Sequence, residues 1–218
     1  MITLDLARRC VADLARAQGA TVLYPVDVDA ALSDASRLAG AHASLVLALV
    51  RPLLALASSR VAGLTTWVPG VGTVVLLTER ALADGPTLLS VAEHEAVHGA
   101  QIAALGPLQA GVDYLGSDEL RALREAEAGG VGLFVRYLVT GVRPSPDDAG
   151  AVSSPLYHLG ERDRAFARTV VEGVLSTIDS GAVPPHSVAR AVLAWLREHA
   201  PEAILAEGYA DRATAVPS

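Results

Sequence analysis

Residues 85–105 read GPTLLSVAEHEAVHGAQIAAL, and the rest of the chain is best understood outward from this stretch. Gly85-Pro86 opens a helix and Gly106-Pro107 closes it, because proline suits a first turn and glycine a position just past the last. Inside it lie His94-Glu95-Ala96-Val97-His98. Residues four apart on a helix stack one above the other, so both imidazoles can reach a single ion. Glu95 lies beside that face, where it can take a proton from water without binding the ion itself. Without an ion, the same residues would be two surface histidines flanked by the solvated charges of Glu93 and Glu95.

A catalytic zinc takes three protein ligands and keeps a fourth position open. The third ligand is sought on the next helix, predicted from Asp118 to Thr140, with Ser117 as its cap and Gly141 as its stop. Arg124-Glu125-Ala126-Glu127-Ala128 supplies two candidates. At 100° per residue, Glu127 falls in the stripe of Leu120, Leu123, Val131 and Phe134, so burial argues for Glu127. Glu125 shares a face with Ala122, Gly129 and Gly132, where small side chains admit a second helix, so close contact argues for Glu125. Alternatively, Glu125 is simply an i,i+4 partner of Arg121. Gln101 reads as an ordinary helix residue and Asp113-Tyr114 as loop.

Before the motif helix, Leu64–Val68 and Gly72–Thr78 are β-branched runs joined by Pro69-Gly70, a hairpin or two short strands. A first helix is predicted from Leu4 to Gln18, with Leu6, Cys10, Val11 and Leu14 on one stripe. Tyr24–Asp27 reads as a turn or short strand, and further helices start near Asp29 and span Ala43–Ser59, the latter bent at Pro52. Arg143–Pro155 reads as a linker. Helices at about Asp163–Ser180, striped by Phe166, Val170, Val174 and Ile178, and Ser187–His199 follow. The fold class is therefore α+β, predominantly helical, with a small β hairpin or sheet before the motif helix and extra helices at both ends. We expect a single domain over 1–218, with a core at 1–142 and a C-terminal helical appendage at 156–218.

The 218 residues carry a formal charge of −7, and all 17 basic residues are Arg. An acidic chain without a basic cluster is a poor match for phosphate backbones, so no nucleic-acid partner is expected. One cysteine, Cys10, excludes an internal disulfide. The N-terminus lacks the order of a secretory signal, and Ala43–Ala57 is interrupted by Arg51-Pro52 and too short to span a bilayer. These features predict a soluble, cytoplasmic protein with no membrane span. With 51% hydrophobic residues, a homo-oligomer or protein partner is also expected.

His-Glu-x-x-His followed on a later helix by Glu-x-x-Ala resembles the gluzincin branch of the zincin metallopeptidases, over roughly residues 64–140. The resemblance implies Zn2+ held by His94, His98 and a glutamate, with Glu95 as general base. Arg124–Ala128 is similar to the stretch around the third ligand in several such families, which points to Glu125; Gly129 stands where an Asp is expected. His-Glu-x-x-His-x-x-Gln, completed by Gln101, recurs in small bacterial zincin-like proteins. The resemblance also implies a substrate-pairing edge strand, with Thr73–Thr78 as candidate, and a transition-state donor among Tyr137, Tyr157 and His158. The function expected is hydrolysis of a peptide or protein substrate. The alternatives are a catalytically silent zincin-like scaffold in a phage, secretion or toxin-related assembly, and a metal-dependent hydrolase of a non-peptide bond.

Overall fold

The structure, a computed structural model, describes residues 2–25 and 61–210. The helices expected near Asp29–Leu38 and Ala43–Ser59 lie outside the described residues. Helix α1 (Leu4–Ala17) starts where the Thr3 hydroxyl accepts from the Leu6 amide at 3.2 Å, and it buries Ala7, Cys10, Val11 and Leu14. The strands are β1 (Thr21–Leu23), β2 (Gly63–Val68) and β3 (Gly72–Leu77). They form one sheet in the order β1-β3-β2, with β1 parallel and β2 antiparallel to β3. The fold is thus α+β, helices dominating a small sheet.

One sequence expectation about this sheet needs correction. A strand precedes the expected turn or short strand at Tyr24–Asp27, of which Val26 and Asp27 lie outside the described residues; it spans Thr21–Leu23 and pairs in parallel with Val74–Leu76, too short to show a period. Thr73–Thr78 is not an edge strand. Val74–Leu76 pair on both sides, and Val74–Leu77 are all buried, as a run of apolar residues in a central strand should be. Among the described residues the outer strands are β1 and β2.

Helix α2 (Gly85–Leu105) carries the motif. Asp84 caps it, accepting from the Thr87 amide at 2.7 Å, and Pro86 occupies its first turn. Gly106-Pro107 ends this helix as expected but also starts another, α3 (Pro107–Gly116), which takes in Asp113 and Tyr114, expected as loop. A proline suits a helix start as well as it bars continuation, and the pair does both here. Helix α4 (Asp118–Thr140) runs from the Ser117 cap to Gly141, whose left-handed backbone closes it. The residues of 143–155 hold a 3-10 turn (Pro146–Asp148) and the short helix α5 (Gly150–Ser153), and they bury Ala149, Ala151 and Val152 against the body of the protein.

Helices α6 (Glu161–Asp179) and α7 (Ser187–His199) complete the described chain. The buried stripe of α6 is Ala167, Val171, Leu175 and Ile178 rather than one starting at Phe166, which is left 37% exposed. Ile178 belongs to both stripes, Val170 and Val174 are half-buried, and Val174 packs on Gly130 of α4, where a Cβ would lie 2.8 Å from its Cγ2. On α7, Trp195 is buried and donates from Nε1 to Asp13 of α1 at 3.1 Å, tying the two ends of the chain together. Buried residues from Ile2 to Tyr209 form one apolar cluster. No helix among the described residues is long and apolar enough to cross a membrane.

The cap of the motif helix gives a direct test. The Thr87 amide holds the Asp84 carboxyl below its ordinary range. A carboxyl with a depressed pKa stabilises the fold above its unfolded value, and that stability is lost as pH falls through the folded value. Asp84→Ala should lower stability at pH 7 by about 1 kcal/mol. The difference from wild type should vanish in acid, as read from denaturant midpoints; a gap unchanged down to pH 2 would contradict the cap's role.

Candidate metal centre

The site begins with the approach of α4 to α2. A Cβ on Gly132 would stand 3.0 Å from the Ser90 carbonyl and 3.5 Å from His94 Cβ. The absence of that side chain lets the helices close until the Ser90 hydroxyl donates to the Gly132 carbonyl at 2.8 Å. Glu125, two turns before Gly132 on the same face, is thereby carried against the histidine pair. This is the close-contact argument from the sequence, and the structure follows it. The burial argument does not hold, because Glu125 is 3% exposed whereas the Glu127 side chain is 37% exposed.

The three donors converge. His94 Nε2 and His98 Nε2 lie 3.2 Å apart, His94 Nε2 is 3.4 Å from Glu125 Oε2, and His98 Nε2 is 3.5 Å from Glu125 Oε1. Ligands on a shared tetrahedral ion, with bonds of roughly 2.0–2.2 Å, stand about 3.3–3.6 Å from one another. The buried Oε2 of Glu125 has no hydrogen-bond partner, which leaves a lone pair for an ion. His94, His98 and Glu125 could therefore hold a metal ion. Two imidazoles and a carboxylate are donors for a divalent transition-metal ion.

The electrostatics fit the same picture. Burial pulls the His98 pKa down, but Glu125, Glu95 and Gln101 outweigh it and push it up to about 9. For Glu125 burial works upward, and the adjacent His94 and His98 rings prevail, holding it well below the usual carboxylate range. Glu93, by contrast, lines a separate small cavity with Val11, Leu14 and Val75; burial alone pushes it up to about 8. It is not part of the centre.

Residues that the sequence reading passed over surround these donors. Gln101 is within 2.9 Å of His98 Nδ1 through its Oε1, and its amide donates to Glu127 Oε2 at 3.0 Å. That contact directs the His98 ring, leaving Nε2 for the ion. Glu127 thus contacts Gln101 and lies outside the group of three converging donors. Tyr114 of α3 donates to Glu125 Oε1 at 2.6 Å. Burial, then the charge of Glu125, keeps this phenol protonated far above its ordinary range. Arg121 does not pair with Glu125; it donates to the carbonyls of Tyr114 and Tyr157 and pairs with Asp118. The spacing of Gln101, one turn beyond His98, was the one available signal. Nothing in the sequence places Tyr114 near a residue 11 positions later.

Glu95 is 6% exposed, and its Oε2 accepts from the Thr65 hydroxyl of β2 at 2.8 Å. Thr65 also reaches the Glu95 carbonyl at 2.9 Å, so β2 is fastened to α2 at this residue. The site opens into a cavity of about 860 Å³ lined by Leu64, Thr66 and Trp67 of β2, Leu105 and Leu115 across from them, and Tyr157. Of the three expected donors only Tyr157 faces this space; Tyr137 packs on Tyr209, with ring centroids 6.1 Å apart, and His158 is not in the lining. No protein-family model, curated protein or solved structure matches the chain.

The fit of Glu95 against β2 can be tested at Gly63, where a Cβ would come within 2.7 Å of Glu95 Cγ. Gly63→Ala should displace the Glu95 side chain while leaving zinc uptake within about twofold of wild type. Any hydrolytic rate should fall by on the order of 10²-fold, as for loss of a positioned base. An alanine variant with a wild-type rate would mean that the position of Glu95 does not matter.

Proposed function

We propose that the chain is a zinc-dependent peptidase of zincin type. The observation that carries this reading is the arrangement of His94, His98 and Glu125 at tetrahedral ligand spacing, with Glu95 on the intervening turn and a cavity bordered by an unpaired strand edge. When bound, the ion would act as a Lewis acid on a scissile carbonyl and ease deprotonation of water. The remaining work falls to the chain. An extended substrate backbone can hydrogen-bond along β2, the cavity-lining strand whose outer edge is unpaired among the described residues. Glu95, oriented through Oε2 by Thr65, takes the proton from the attacking water and returns it to the leaving amine. Tyr157 faces the cavity as a hydroxyl donor to the developing oxyanion.

A second reading rests on one feature. The outer face of α3 shows Leu108, Val112 and Leu115 at 82%, 56% and 82% exposure. An apolar stripe of that kind suits a protein partner and favours a zincin-like scaffold that does not turn over. The width of the cavity and its strand edge favour a peptide over a small non-peptide substrate.

Metal analysis of the purified protein should find about one zinc per chain, and His94→Ala should lose it. Glu95→Gln should keep the zinc while hydrolysis of a fluorogenic peptide library falls by about 10²–10⁴-fold. Zinc uptake with no cleavage by either protein would leave the scaffold reading in place; cleavage undiminished in Glu95→Gln would remove Glu95 from the chemistry.

A further inference from the structure

We propose that Tyr114 couples the docking of helix α3 to the holding of an ion by Glu125, acting as a positioning residue for the third ligand. This rests on the metal reading above and extends it to an element outside the ligand set. A glutamate carboxylate turns freely about its last bond unless something holds one oxygen. Here Tyr114 takes Oε1 at 2.6 Å, while Oε2, buried and without a hydrogen-bond partner, stays directed at His94 Nε2, 3.4 Å away. The clamp presents one oxygen to the ion and engages the other. Groups that orient a ligand in this way commonly contribute a factor of about 10–100 to metal affinity.

The clamp comes from an element that little else among the described residues holds down. None of the residues of α3 is buried; Leu108 and Val112 face outward, and Leu115, largely exposed, stands at the rim of the cavity. The helix starts at Gly106, whose φ of 80° needs glycine, and a Cβ there would meet nothing within 4 Å. Its C-terminal end is held by polar contacts, Tyr114 on Glu125 and Arg121 on the Tyr114 carbonyl at 3.1 Å. Segments that bury so little apolar surface open at low free-energy cost. If the docked helix favours the ion-holding carboxylate, linkage requires that the ion favour the docked helix by the same factor. Metal loading and closure of the cavity wall at Leu115 then become one equilibrium, because Leu115 and Tyr114 share that helix and both line the cavity.

The test compares wild type with Tyr114→Phe, which keeps the ring and removes only the hydroxyl. Zinc affinity is measured by competition titration, the Co2+ ligand-field spectrum is recorded, and amide hydrogen exchange across residues 107–116 is followed with and without saturating zinc. Tyr114→Phe should bind zinc about 10–100-fold more weakly and shift the Co2+ bands. Zinc should slow exchange across α3 in wild type and leave it unchanged in Tyr114→Phe. Leu108→Ala, altered on the outer face of the same helix, should match wild type in affinity. Equal affinities for wild type and Tyr114→Phe, α3 exchange indifferent to zinc in wild type, or an equal loss of affinity in Leu108→Ala would each overturn the coupling while leaving the metal reading intact. A wild-type protein that takes up no divalent ion would overturn both.

Discussion

Helices α2 and α4 can lie as close as they do only because Gly132 has no side chain. A single methyl group there would press on the Ser90 carbonyl at 3.0 Å and crowd His94, forcing the two axes apart. The hydrogen bond from Ser90 to the Gly132 carbonyl then fixes the register of one helix on the other. The consequence sits two turns away, where Glu125 is brought within 3.5 Å of both imidazoles. Gly130 repeats the device toward α6, so α4 is held closely on both sides. A buried carboxylate and two half-buried imidazoles are expensive to assemble, and tight backbone packing is what keeps them from separating.

Around that contact the protein divides its labour by element. Helix α2 supplies the stacked histidines and Glu95 on adjacent faces, and Asp84 starts it. Strand β2 orients Glu95 through Thr65 and leaves an edge beside the cavity. Helix α3 supplies Tyr114, and the turn after α5 supplies Tyr157, both held by Arg121. The termini contribute burial rather than chemistry. Trp195 on Asp13, and Tyr209 beneath Phe134 with its hydroxyl on the Ala182 carbonyl at 2.7 Å, close the core behind α4.

Much of the fold could be read before any coordinates. Apolar spacing marks α1, Gly85-Pro86 and Ser117 mark the starts of α2 and α4, and the β-branched runs around Pro69-Gly70 mark the hairpin, because these signals act over a few turns or one strand. What went astray depended on distance. The parallel partner of β3 is a three-residue strand without a period, so the central position of β3 was not legible. The buried stripe of α6 includes Ala167, Val171 and Leu175 beside Ile178, while Phe166 stays outside it, because neighbouring elements decide which side is covered. Helix α3 carries no buried residue, and its apolar stripe of Leu108, Val112 and Leu115 lies on the exposed side.

The candidate site shows the same division. Local spacing alone put His94 and His98 on one face with Glu95 beside it, since helical geometry settles which residues stack four apart. It narrowed the third donor to Glu125 or Glu127 but left two opposed arguments standing. Only the packing of α4 on α2 chose Glu125 and turned Glu127 outward to Gln101, because interhelical distance is set by side chains that lie two turns from either glutamate. Likewise the roles of Tyr114, Thr65 and Gln101 exist only where separate elements meet. A sequence records what each element presents along its own axis; which faces come together is decided by the fit of all of them at once.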